Sequence, residues 1–217
     1  MPSKYYNRNF RPQHYYHVFN RGAYKNKIFL DKKDYEIFTS ILTYYLNFPT
    51  AKHFSYQKRA DNPYVKVPNL DIDSVHLVAY CLMPNHFHFI LKQTPKATKQ
   101  TNISNLMRRL MITYAMYFQN KYKHTGALLQ GRFKNVVVDS KEQLLYLSKY
   151  IHENPLPIQK NLNKYPYSSY SAYINKLDTP KWLHPEYVLK LRPNYQQFIK
   201  TPTQESVIEK FTPLTLE

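Results

Sequence analysis

The segment Cys81-Leu82-Met83-Pro84-Asn85-His86-Phe87-His88-Phe89-Ile90-Leu91 holds the residue types best suited to chemistry. Side chains alternate between the faces of a strand, so His86 and His88 stand on one side, about 6.5–7 Å apart along the chain. Two imidazoles so placed suit two ligands of one metal ion. Phe87, Phe89 and Leu91 then turn the other way, which predicts a half-buried strand with an apolar side and a histidine side. An H-x-H pair alone is a weak sign, because a solvated strand face can carry one by chance.

A second segment agrees with it, Lys149-Tyr150-Ile151-His152-Glu153-Asn154-Pro155. Asp139-Ser140-Lys141-Glu142-Gln143 opens a helix with capping-box spacing, Asp139 three before Glu142 and Ser140 three before Gln143. Pro155 stops that helix. Leu144, Leu145, Leu147 and Ile151 supply an apolar stripe, and Tyr146, Tyr150 and Asn154 recur at i, i+4, i+8 on a neighbouring face. A phenol and a carboxamide therefore project together, one turn apart. In a chain with 22 tyrosines, a half-buried structural tyrosine followed by a capping asparagine is the plain alternative.

In combination with three further pieces, the chain resembles the single-tyrosine HUH transposases, most closely the REP-associated tyrosine transposases. The pieces are Tyr16-His17-Val18-Phe19-Asn20-Arg21-Gly22, the histidine strand, Leu129-Gln130-Gly131-Arg132-Phe133-Lys134, the Tyr150 helix end, and Tyr165-Pro166-Tyr167-Ser168-Ser169-Tyr170. They span residues 14–171. The resemblance implies that His86 and His88 are metal ligands, that Tyr150 is the nucleophile and that Asn154 is a third ligand. It implies DNA contacts by Arg21, Arg132 and Lys134, with Arg132 favoured, and a single-stranded hairpin substrate cut to leave a 5′-phosphotyrosine. A polar, proline-bearing stretch at 48–70 looks like an insert. His17, at the edge of its strand, and His152, about 200° around the helix from Tyr150, stay outside the metal set.

The groups fit that chemistry. A tyrosine that attacks a phosphodiester keeps the bond energy in a covalent ester, which a DNA hydroxyl can later attack. An unperturbed phenol, with a pKa near 10, is mostly protonated at neutral pH, so a nearby cation helps. Imidazoles plus an amide oxygen suit Mg²⁺ or Mn²⁺, with Mn²⁺ better matched to nitrogen. No small-molecule cofactor is expected.

Lys and Arg total 31 against 14 Asp and Glu, a net charge of +17, which points to a polyanionic partner, nucleic acid first. An aromatic content of 16% interleaved with these charges suits stacking on unpaired bases. Neither a spanning apolar run nor a signal pattern is visible, and the single Cys81 excludes an intrachain disulfide, so a cytoplasmic monomer or homodimer is expected. Two other classes fit less well. A catalytically silent DNA-binding regulator would not need His86, His88, Tyr150 and Asn154 together. An RNA-binding or RNA-processing protein would show aromatic stacking residues where the central strand carries histidines.

The elements that must position these groups are predicted as strands at 15–21, 75–83, 86–92 and 133–138, with helices at 31–46 and 103–121. That order is βαββαβ, an α+β, ferredoxin-like sheet with helices on one face. The Tyr150 helix follows as an addition. Residues 1–13 read as a basic arm and 172–217 as a small helical extension, with short helices near 185–191 and 204–211. Arg108 and Arg109 are placed on the exposed side of the second helix.

Overall fold

The computed structural model describes residues 8–47, 73–97, 102–174 and 178–202. The insert-like stretch and the helix expected near 204–211 lie outside these residues. Strands β1 (Tyr15–Arg21), β2 (Val75–Met83), β3 (His86–Gln93) and β4 (Lys134–Val138) form one sheet in the order β2-β3-β1-β4, every neighbouring pair antiparallel. Helices α1 (Lys32–Asn47) and α2 (Asn102–Tyr122) cross between them, which gives the expected βαββαβ order.

Two-residue alternation decides what each face meets. Phe87, Phe89 and Leu91 of β3, with Tyr16 and Val18 of β1, pack against Phe38, Ile41 and Leu42 of α1 and Leu106, Leu110 and Tyr114 of α2. Phe87 and Phe89 are fully buried, and each such side chain contributes about 1.5–3 kcal/mol on leaving water. Asp31 and Asp34 cap the start of α1 reciprocally: the N–H of Asp34 donates to the Asp31 carboxylate (3.0 Å), and those of Asp31 and Leu30 donate to Asp34. Lys121, in the last turn of α2, reaches Asp34 at 2.8 Å and Asp31 at 2.7 Å, tying the end of one helix to the start of the other. Arg109 is buried, not exposed as expected; its guanidinium lies over the Tyr45 ring, while Arg108 takes the solvent side.

The opposite face is covered by α3 (Lys141–Glu153), whose Leu144, Leu147 and Ile151 lie against Cys81, Met83, Ile90 and Val138. Of the two capping pairs in the sequence, Ser140 with Gln143 forms the box, each side chain bonded to the other's backbone N–H. A bulge between Leu77 and Ala79 keeps Ala79, Cys81 and Met83 on the α3 side. Short helices α4 (Tyr170–Tyr173), α5 (Glu186–Leu189) and α6 (Tyr195–Lys200) complete this layer; of these only α5 was expected. Residues 167–169 and 183–184 also protect the edge of β2, with Leu82 N–H donating to Tyr167 O, Ser169 N–H to Tyr80 O and His184 N–H to Leu77 O. At the other terminus, Phe10 is fully buried against Tyr16 and Phe133, so the inner end of the expected arm is part of the core.

Candidate active site

The alternation that buries Phe87 and Phe89 sends His86 and His88 to the α3 side. In register, Arg21 stands opposite His86, and Phe19 stands opposite both His88 and Lys134. These side chains come from the three strands β1, β3 and β4, near one end of the sheet. Phe19, Asn20, Arg21, His86, His88, Gln130 and Lys134 line a cleft there.

Each histidine is held on its Nδ1 side. His86 Nδ1 lies 2.6 Å from Asn85 Oδ1, and Asn85 Nδ2 donates to Lys25 O (3.2 Å), which fixes the oxygen of that amide toward the ring. The proton of His86 therefore sits on Nδ1. Its Nε2 lone pair faces Asn154 Oδ1 at 2.9 Å. Two lone pairs so close repel, so the contact is settled either by turning the amide to donate its Nδ2–H to the ring or by a cation shared between nitrogen and oxygen. His88 Nδ1 meets His17 Nε2 at 2.8 Å, which aims the far nitrogen, Nε2, away from β1. The two strand histidines are 5.0 Å apart between ring centres, inclined at 82°. Among the described residues no three His, Cys, Asp or Glu side chains form a metal-binding group. The donor set with metal character is two imidazoles and one carboxamide oxygen.

Helix α3 brings the other half. Tyr150 sets its ring edge-on to His88 (5.6 Å between centres) and to His17 (6.5 Å), and Asn154, the C-cap one turn later, is the residue that meets His86. Thus His86, His88, Tyr150 and Asn154 converge, although 62 residues part the nearest members of the two segments (150 minus 88). His152 points to the other side, where it is fully buried between Tyr195 Oη (2.8 Å) and Ser169 Oγ (2.7 Å), and burial pushes its pKa down to about 3. Cys81 is buried beneath the site, and burial alone pushes its thiol far up, so it is a core residue.

One expectation changes, and one residue is placed outside the cleft. His17 is not at a strand edge: β1 lies between β3 and β4, and the ring is fully buried, stacked on Phe19 and bonded to His88. Its alternation with Phe19 and Arg21 was the signal for that placement. Arg132 is exposed and does not line the cleft, because Gly131, at φ +71, turns the chain before β4 begins. From the same segment the cleft takes Gln130 and Lys134 instead.

Residues 66–154 match the family model of IS200-like transposases, a span that holds both histidines, Tyr150 and Asn154. The match covers a little under half of the chain, and over this span the chain is similar to the IS200-like transposases. Among solved structures, it is similar to a REP-associated tyrosine transposase bound to a REP hairpin, at 13% identity and a TM-score of 0.55, over 81% of this chain and 87% of that one. At that identity the likeness is one of fold. A proposed transposase of Deinococcus radiodurans R1 matches at 16% identity and a TM-score of 0.38, over 67% of this chain and 93% of that one. No curated protein matches. Among the described residues no helix is long and apolar enough to cross a membrane.

Proposed function

We propose that this protein is an IS200-like transposase that nicks and rejoins single-stranded DNA at a hairpin through a covalent bond to Tyr150, with a divalent ion, Mg²⁺ or Mn²⁺, held by His86, His88 and Asn154. One observation carries the reading. The ring of Tyr150 packs against His88 on the same helix whose cap, Asn154, meets His86 at 2.9 Å. Nucleophile and cation site are thereby fixed to one another by a single turn of helix. The hairpin held by the solved transposase of similar fold and the +17 charge of this chain both support a folded DNA strand as substrate.

In the first step the Tyr150 phenolic oxygen attacks phosphorus and the bond to the 3′-oxygen breaks. The phenolic proton passes to solvent, the 3′-oxygen leaves as a hydroxyl, and the 5′-phosphate stays on Tyr150. In the second, a DNA 3′-hydroxyl attacks that ester and frees the phenol, so no nucleotide is consumed. When bound, the ion polarises the scissile phosphate and stabilises charge on the leaving oxygen. His17 and Asn85 set the tautomers and directions of His88 and His86. Arg21 and Lys134 neutralise phosphate inside the cleft, and Arg132 contacts DNA outside it.

Incubation with a hairpin oligonucleotide and Mn²⁺ or Mg²⁺ should give a protein–DNA adduct that survives denaturing electrophoresis. Tyr150→Phe should bind the same DNA within about twofold and form none. An adduct in that variant would reassign the nucleophile, with Tyr146 next in line. No adduct from the wild type with either ion, despite tight binding, would favour a silent DNA-binding protein.

A further inference from the structure

Of the described aromatic side chains, one alone is exposed: Tyr24, at 94% of its full accessibility. We propose that it is a stacking platform for one unpaired base of the DNA strand, a role that rests on the single-strand reading above. The turn bearing it is built at some conformational cost. Tyr24 has φ 53 and ψ 29 and Lys25 has φ 63, the left-handed region that residues with a Cβ rarely occupy. A turn whose only task was to reverse the chain would place glycine at these positions.

The backbone there is pinned on every side. Gly22 N–H donates to Asn85 O (2.8 Å), Ala23 N–H to Leu128 O (3.0 Å) and Asn26 N–H to Ala23 O (3.0 Å), while Asn85 Nδ2 reaches Lys25 O. Gly22 permits this closure because a Cβ at that position would lie 2.0 Å from Asn26 O. The ring is therefore held up to solvent by a fixed turn. Asn85 is also the residue that orients His86, so platform and histidine site share one anchor.

The surroundings select the occupant. The neighbours are small (Gly22, buried, and Ala23, half-buried) or polar and cationic (Lys25, Asn26 and Lys27, all exposed), and residues 21–30 contain no carboxylate. A protein partner of ordinary size would need contiguous apolar area around the ring. A lone π-face among lysines, with Arg21 at the cleft beside it, fits a base whose flanking phosphates need neutralising.

The test uses the full chain, a hairpin with a single-stranded flank, and the same hairpin made blunt. Tyr24→Ala should weaken binding of the flanked hairpin roughly 5- to 150-fold, the range for losing one base–aromatic stack. Binding of the blunt hairpin and the slope of affinity with salt should stay as in the wild type, since no charge is lost. Tyr24→Phe should bind as the wild type, and Tyr24→Leu should behave as Tyr24→Ala. With 2-aminopurine walked along the flank, one position should be quenched by the wild type and Tyr24→Phe but not by Tyr24→Ala. Unchanged binding by Tyr24→Ala, equal losses on both hairpins, or rescue by Leu would each overturn the platform. If these occur while the wild type still forms its adduct, the platform alone falls. A wild type that binds neither hairpin removes the single-strand reading and the platform with it.

Discussion

His17→Phe keeps an aromatic ring in the stack on Phe19 but removes the nitrogen that meets His88 Nδ1 at 2.8 Å. Because both rings are almost wholly buried, water cannot replace the lost partner. Leaving His88 Nδ1 unsatisfied should cost about 1–3 kcal/mol of stability, more than the roughly 0.5–1.5 kcal/mol net value of the bond itself. The second effect bears on metal. Without the His17 nitrogen, the preference of His88 for offering Nε2 weakens, and a lost partner of this kind lowers metal affinity about 10- to 100-fold, equivalent to about 1.4–2.7 kcal/mol. Mn²⁺ titration followed by electron paramagnetic resonance, alongside urea unfolding, separates the two effects. Ile90→Val, on the same sheet face and opposite His17 in register, should lose about 0.5–1.5 kcal/mol of stability with Mn²⁺ affinity intact. His17→Gln, whose amide can still reach His88, should recover much of the affinity. A folded His17→Phe that binds Mn²⁺ within twofold of the wild type would refute the reasoning.

Removing Lys134, which lines the cleft, should slow single-turnover cleavage at saturating DNA and reduce the salt slope of binding by about one; Arg132→Ala, on the exposed turn, should weaken binding with the saturated rate nearly unchanged, and the reverse ranking would return Arg132 to the site. Burial pushes the Asp34 carboxyl up, but Lys121, the Leu30 N–H and the hydroxyls of Tyr117 and Tyr122 together hold it below its usual range. Its stabilising contribution is therefore complete above pH about 3.8 and is lost as pH falls through the lower folded value. Asp34→Asn should cost about 1.5–3 kcal/mol at pH 7, the range for losing hydrogen bonds to a charged group, since the Lys121 left behind is reached by water, and should flatten the acid limb of the stability curve, both read by urea denaturation from pH 2.5 to 7.

The sheet was legible because β3 alternates strictly: His86-Phe87-His88-Phe89 can lie only one way against an apolar core. The helix α3 was legible at both ends, through Ser140 with Gln143 and through Pro155. Three things were not. Arg109 looks like a surface cation, and only the packing of Tyr45 from α1 shows that its charge is covered by a ring. Alternation with Phe19 and Arg21 puts His17 on the histidine face, but its bond to His88, 71 positions away, is a contact no local pattern carries. The short α6, six residues long, has too few turns to show periodicity; Tyr195 and Ile199 are recognisable as core only once α3 is in place beside them.

The braces of α3 lie far along the chain. His152 meets Ser169 and Tyr195, Ser148 meets Tyr195, and Lys149 reaches Thr201 O, partners 17 to 52 residues further on. The sheet with α1 and α2 needs none of these contacts to bury Phe87 and Phe89. A polypeptide leaving the ribosome N-terminus first thus gathers its paired histidines early, while the segment bearing Tyr150 has only its sheet contacts until the chain from Ser169 to about residue 200 has emerged and added the polar braces. On the proposed function, a product truncated before about residue 195 should therefore keep the sheet but hold the Tyr150 helix by its sheet contacts and Ser169, without Tyr195.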